Sequence, residues 1–374
     1  MTSDTYPHFT FDEDDFDPVD VPDGRAIPHV LDDMGLGVDV IDRRALREAI
    51  RGLSTQGDGS DDETSREEAS RVKLLRGLLH GNALYKQFVA GTPELIERLA
   101  GLRNATPNFR DAADVVRRAA RLSLATATPM RIPPLLLLGP PGIGKTHFAQ
   151  GLAAALETSV TVIAGSTLAD RGVLTGTNTS WRGARPGALA KALLAAPTIS
   201  PVIVIDEVDK MTGLSAHDTP LDALLTMLEP ETSRAYRDEY FDVPMRADAV
   251  TWIMTANDLA SLSEPLRDRL LVLDIPDLTA AQRSEVYSRI FATLNAALGG
   301  AFDLAPEALA SLATLNTRRA KAVITQALGI AADHERRTVT AADMIRAAEL
   351  VLPSGGSRGR GIGFGLMGSV PQRG

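Results

Sequence analysis

This sequence predicts an α/β fold: a parallel sheet sandwiched between helices and followed by a small all-helical domain. Three observations carry the prediction. Five short apolar runs, "LLLL" (135–138), "VTVIA" (160–164), "VIVID" (202–206), "VTWIMTA" (250–256) and "LLVLDI" (270–275), are continuous rather than alternating, which is the pattern of strands covered on both faces. Helical segments or long connections separate them, as crossovers between parallel strands require. From Thr279 onward only helical periodicity remains.

Taken in chain order, residues 1–40 hold eleven Asp or Glu and one Arg, whereas 41–374 hold 37 acids and 38 bases. The net charge of -9 therefore belongs to the front of the chain. With "FDEDDFDP" at its centre, that segment reads as a self-repelling, disordered tail. The functional alternative is an interaction arm that docks Phe11 and Phe16 on a partner.

Residues 41–106 read as helical. "DRRALREAIRGL" is followed by a stretch from Ser65 to Val89 with Val72, Leu74, Leu75, Leu78 and Leu79 on one face, and by "TPELIERLAGL", where Thr92 and Glu94 mark a helix start. The helical stretch "FRDAADVVRRAARLSLATA" opens the sheet-bearing region, 107–276. Residues 277–352 form the helical domain, and the Gly- and Arg-rich remainder, 353–374, reads as a flexible tail. Gly363, Gly365 and Gly368 in that tail keep a GxGxxG spacing, but no strand precedes them and no helix follows, so the motif carries no meaning there.

Composition excludes several classes. The chain has no cysteine, which removes disulfides, thiolate metal sites and a cysteine nucleophile and fits a reducing compartment. Its start, "MTSDTYPHFT", lacks a basic and apolar leader, and no apolar run reaches the roughly 18 residues that cross a bilayer. A cytoplasmic protein is the expectation. Near-neutral charge over 41–374 argues against a nucleic-acid partner.

The strongest chemical signal is "LLLLGPPGIGKTHFAQGLAAAL". A strand leads into Gly139, Pro140, Pro141, Gly142, Ile143, Gly144, Lys145 and Thr146, and a helix follows. This is a phosphate loop in sequence and in context: glycines let backbone N–H groups converge on phosphates, and the helix N-terminus adds its dipole. Only six of the 39 basic residues are Lys. Lys145 is one of them, a compact charge for the β and γ phosphates of ATP, and Thr146 offers a hydroxyl to Mg²⁺.

Next, "PVIVIDEVDK" delivers Asp206 and Glu207 at a strand's C-terminal end, where open α/β sheets bind ligands. Asp206 would hold Mg²⁺ and Glu207 would polarise the attacking water. In "VTWIMTAND" a strand ends in Asn257, an amide placed to position that water.

Phosphate loop, "DE" strand, "TAN" strand, "RDR" and helical lid follow the order of AAA+ ATPases. Within that superfamily the chain resembles the ATPase module of Lon proteases over about 134–352, through "SWRGARPGALAKAL", "LDALLTMLEPETSRAYRDEYFDVPM" and "LSEPLRDRLLVLDI". The resemblance implies that Arg269 is an arginine finger reaching a neighbouring subunit's nucleotide, with Arg267 the competing choice and a surface salt bridge to Asp268 the bland one. It implies that Arg318 is the lid arginine, with Arg319 as runner-up. A finger donated in trans implies a ring or spiral of copies, six in the family. Trp181 and Arg182 stand where the family places an aromatic-aliphatic pair that grips a substrate polypeptide in the central pore, although here Arg182 replaces the aliphatic partner. A Lon protease continues beyond its lid into a domain with a Ser-Lys catalytic pair, whereas the residues after the lid here contain no Lys. The expectation is therefore an ATP-hydrolysing remodeller of protein clients without proteolysis. A nucleic-acid motor or loader and a slow nucleotide-dependent switch are the alternatives.

Overall fold

The structure, a computed structural model, describes residues 36–56, 63–80, 84–179, 181, 183–211 and 219–352. The acidic centre of the front tail and the Gly- and Arg-rich tail lie outside the described residues. The chain divides into two units, Met1–Gln282 and Arg283–Gly374.

The first unit opens with a pairing too short to leave a sequence pattern. Strand β1 (Gly37–Asp39) runs antiparallel to β2 (Tyr85–Gln87), and helices α1 (Arg43–Gln56) and α2 (Glu63–His80) lie between them in sequence. The helix expected from Ser65 to Val89 thus stops at His80, and Tyr85–Gln87 is extended. Three long-range contacts outweigh local propensity there: the pairing with β1, the Phe88 N–H donated to Leu36 O, and a bridge from Gln87 to Thr198.

Helix α3 (Pro93–Ala105) starts at Thr92, whose side chain accepts the Leu95 N–H, and α4 (Arg110–Thr126) packs beside it. Then come β3 (Leu135–Leu138), α5 (Lys145–Ala155), β4 (Val160–Ala164), α6 (Gly172–Thr175), α7 (Ala188–Ala195) and β5 (Val202–Asp206). The unit continues with α8 (Pro220–Leu228), α9 (Pro230–Ser233), the two-residue pair β6 (Tyr236–Arg237) and β7 (Pro244–Met245), β8 (Thr251–Ala256), α10 (Glu264–Arg267) and β9 (Leu271–Asp274).

Strands β3, β4, β5, β8 and β9 form one parallel sheet in the order β4-β5-β8-β3-β9. Successive side chains leave a strand on opposite faces. Leu136, Ile203, Ile205, Trp252 and Met254 therefore enter one core, shared with Val40, Leu46 and Leu75 of the front segment, while Leu135, Leu137, Val202, Val204 and Ile253 enter the other, shared with α3, α4 and α5. Two apolar faces are why the runs are continuous, and each fully buried Leu or Ile contributes about 1.5–3 kcal/mol.

In the second unit, α11 (Ala280–Ala297, which begins in the first), α12 (Thr317–Asp333) and α13 (Ala341–Val351) surround Tyr287, Phe291, Val323, Ile324, Leu328 and Met344. A two-residue parallel ladder joins β10 (Asp303–Leu304) to β11 (Thr338–Val339), which helical periodicity could not reveal. Thr340 and Asp343 form a capping box on α13, and Arg336 donates to both Asp343 oxygens at 2.8 and 2.6 Å. Those bonds hold the Asp343 carboxyl well below the usual carboxylate range. Among the described residues, no helix is long and apolar enough to cross a membrane.

Candidate functional site

Register brings the chemistry together. Leu138 of β3 sits opposite Ala256 of β8, and Ile205 of β5 opposite Met254 of β8, so three adjacent strands end side by side. Gly139, Glu207 and Asn257 each follow one of those ends, and Asp206 closes β5, at the carboxyl edge where open sheets bind ligands.

The glycine loop turns through left-handed backbone at Gly142 (φ 81°) and Gly144 (φ 105°), and Gly144 caps the N-terminus of α5. Lys145, the first residue of α5, is buried. Its ammonium donates to Gly139 O at 2.5 Å, Pro140 O at 3.3 Å, Ala256 O at 3.2 Å and Asn257 Oδ1 at 2.9 Å. The cation thus stands over the loop and ties it to the end of β8. Thr146 Oγ1 donates to Asp206 Oδ2 at 3.1 Å.

Thr255, fully buried in β8, joins the acidic pair, and the sequence reading missed it. Its hydroxyl donates to Asp206 Oδ1 at 2.5 Å and accepts the Glu207 N–H at 2.8 Å. Glu207 sits at φ 55°, ψ 54°, a conformation that costs a non-glycine residue roughly 1–2 kcal/mol, and its side chain is exposed beyond the strand end. Gly165 makes room for this turn: a Cβ there would lie 2.2 Å from Glu207 O. Its only trace in the sequence is a glycine directly after an apolar run. Asn108 was missed as well; its amide reaches Ile143 O at 3.4 Å and Pro276 O at 3.5 Å, fastening the loop from below, while Phe109 stacks on Phe148 of α5 at 4.8 Å.

The family described as "ATPase family associated with various cellular activities (AAA)" matches residues 135–275, the stretch that holds the sheet and every residue of this cluster except Asn108 and Phe109. Residues 135–275 are an AAA+ ATPase domain. Over this region the chain is 35% identical across 159 residues to Lon protease of Paraburkholderia phytofirmans, a match covering 42% of this chain and 20% of that one. It is 36% identical across 160 residues to the peroxisomal Lon protease homolog 2 of Pichia angusta, covering 43% and 17%. The matched region is about a fifth of the length of these relatives. Among solved structures, the Thermotoga maritima RuvB Holliday junction branch migration motor aligns with TM-score 0.46 and 18% identity, covering 64% of this chain and 68% of that one.

An AAA+ domain binds a nucleotide, and its residues suit a magnesium ion. Thr146 Oγ1 and Asp206 Oδ2 are hard oxygen donors 3.1 Å apart at the mouth of the loop, the kind of set Mg²⁺ takes beside phosphates. Arg269 Nε pairs with Glu229 Oε1 at 2.7 Å, not with Asp268, and its Nη1 donates to Pro265 O at 2.9 Å. Arg267 is exposed two residues earlier. Arg318 and Arg319 are both exposed in the first turn of α12, in the second unit, where Asn316 caps the helix by accepting the Arg319 N–H.

Trp181 stands on a loop between α6 and α7 and is 68% exposed. The loop closes on itself: Thr177 N–H donates to Arg185 O at 3.0 Å and Arg185 N–H to Thr177 Oγ1 at 2.9 Å. Ala184 N–H reaches Trp181 O at 3.2 Å. Arg182 lies outside the described residues.

Proposed function

We propose that this AAA+ domain uses ATP hydrolysis to move the Trp181 loop and so remodel or unfold a protein client, in a ring or spiral of copies, six by the family's pattern. The carrying observation is Trp181, one of only two tryptophans in the chain, whose ring is presented to solvent by a closed loop instead of being spent in a core. An exposed indole binds apolar and aromatic side chains of an unfolded polypeptide with little selectivity, which is what a grip on varied sequence needs.

In this reading Gly139 to Thr146 cradle the phosphates. Lys145 exchanges its loop carbonyls for the β and γ oxygens, and Thr146 and Asp206 hold the magnesium, whose charge offsets that developing on the phosphates. Glu207 accepts the proton of the attacking water, Asn257 orients that water, and Arg269 of a neighbouring copy meets the γ-phosphate. The resemblance assigns Arg318 the role of the lid arginine. Because the matched region is a small part of the Lon proteases, proteolysis is no part of the proposal.

The test is ATP turnover with candidate polymers. Denatured casein should stimulate it and single- or double-stranded DNA should not, and Trp181→Ala should remove the stimulation. Stimulation by DNA alone would support a nucleic-acid motor instead, and stimulation by neither would support a switch. Glu207→Gln, which keeps the site's shape while removing the base, should bind ATP and retain casein while cutting turnover by about 100-fold or more.

A further inference from the structure

We propose that Asp238 is the positioning residue of the Trp181 loop: its buried carboxylate holds both feet of the loop in one place. The inference rests on the reading of Trp181 as a client grip for its purpose, but not for its geometry.

Asp238 follows β6 and is fully buried. Its Oδ2 accepts the Gly187 N–H at 2.8 Å, and Oδ1 accepts the Tyr240 and Phe241 N–H groups at 3.0 and 3.3 Å. Tyr236 Oη stands 3.5 Å from Oδ2 and donates to Leu174 O at 3.3 Å. Gly187 is the second foot of the loop. Gly176, the first foot, passes so close that a Cβ would lie 2.7 Å from Oδ1, 2.9 Å from Oδ2 and 2.9 Å from Gly187 N, and its φ of 78° already excludes most side chains. Both feet and the carboxylate are therefore in mutual contact.

Chemistry explains why an acid stands there. Three backbone N–H groups converge on the two oxygens, and an amide would turn an NH₂ toward at least one of them. Burial pushes the carboxyl up, the converging N–H donors hold part of that rise back, and the balance stands at about 6. A buried acid in this position is a cost that the fold accepts only because those donors would otherwise be unpaired.

Neighbouring residues repeat the tie. Glu239 N–H donates to Thr175 O at 2.8 Å, and the Glu239 side chain pairs with Arg171 at 2.6 Å. Arg71 bridges from the other side, donating to Thr179 Oγ1 and to Phe241 O, both at 3.1 Å. Beyond Gly187 the chain runs directly into α7, so the carboxylate also sits at the positive end of that helix. At the negative end, the buried Lys86 ammonium of β2 donates to Leu193 O, Leu194 O and Ala196 O at 2.7, 2.6 and 2.5 Å. The strut behind the loop is clamped at both ends by charges opposed to its dipole.

The experiment uses the full chain with Trp252→Phe, which leaves Trp181 as the sole tryptophan, excited selectively over the five tyrosines. Asp238→Asn should lower the anisotropy of Trp181 by freeing the loop. Gly176→Ala, which crowds the carboxylate from the loop side, should do the same and carries the test if Asp238→Asn does not fold. In the unmodified chain the Gly187 amide should exchange its hydrogen more than about tenfold slower than a free peptide amide. Unchanged anisotropy in the folded variants, or a Gly187 amide exchanging freely, overturns the proposal. If anisotropy falls while casein-stimulated turnover stays at the parent level, the anchor stands and the grip reading of Trp181 falls.

Discussion

Thr255→Val tests whether one buried hydroxyl sets the catalytic geometry. Valine keeps the shape and the strand preference of threonine, so the change removes the hydroxyl without opening a cavity. Two bonds disappear: the donation to Asp206 Oδ1 and the acceptance of the Glu207 N–H at 2.8 Å. A hydrogen bond of this kind contributes about 0.5–1.5 kcal/mol net, and the left-handed backbone it restrains at Glu207 costs roughly 1–2 kcal/mol. Removing the restraint thus makes relaxation of Glu207 comparable to or better than its productive placement. A shift of about 1.4 kcal/mol is a tenfold loss of rate. Steady-state ATP turnover should therefore fall about tenfold in kcat with KM little changed, since neither Lys145 nor the loop is touched. Thr255→Ser should recover most of it. A Thr255→Val rate within twofold of the parent, or a serine variant as slow as the valine one, would refute the claim that this hydroxyl holds Glu207.

Three further outcomes are expected. Lys145→Ala should abolish nucleotide binding by calorimetry, and unchanged affinity would remove it from the phosphate site. If Arg269 acts on a neighbour, mixing Arg269→Ala subunits with parent subunits should depress turnover more than in proportion to their fraction, whereas proportional loss would place its role within one copy, alongside Glu229. Lys86 gives a pH prediction: burial lowers its ammonium to about 7 from an ordinary 10.5, so between those values the unfolded chain holds a proton that the folded chain tends to release. Stability should therefore rise with pH across that window, and the difference in melting temperature between pH 7 and pH 9 should shrink in Lys86→Met.

How much was legible varies by element. Residues 135–138, 160–164 and 202–206 were read with their ends, and 250–256 and 270–275 to within a residue at each end, because a strand covered on both faces must be apolar throughout. The loop from Gly139 to Thr146 was equally plain, since backbone that turns through positive φ and approaches phosphates has few residue types available. By contrast, "GVD" and "YKQ" look like nothing in particular, and become strands only by finding each other across 45 residues of helix and connection.

Sequence by itself determined the five strands, the phosphate loop and the acids at the end of β5, because each is written in neighbouring residues whose local conformation or burial restricts composition. Only the tertiary structure decided that β8 lies between β3 and β5, and hence that Thr255 links Asp206 to Glu207, and that Asp238 stands under the feet of a loop some fifty residues earlier. Those facts depend on which distant segments pack together, and a residue chosen for a distant partner leaves no periodicity around itself.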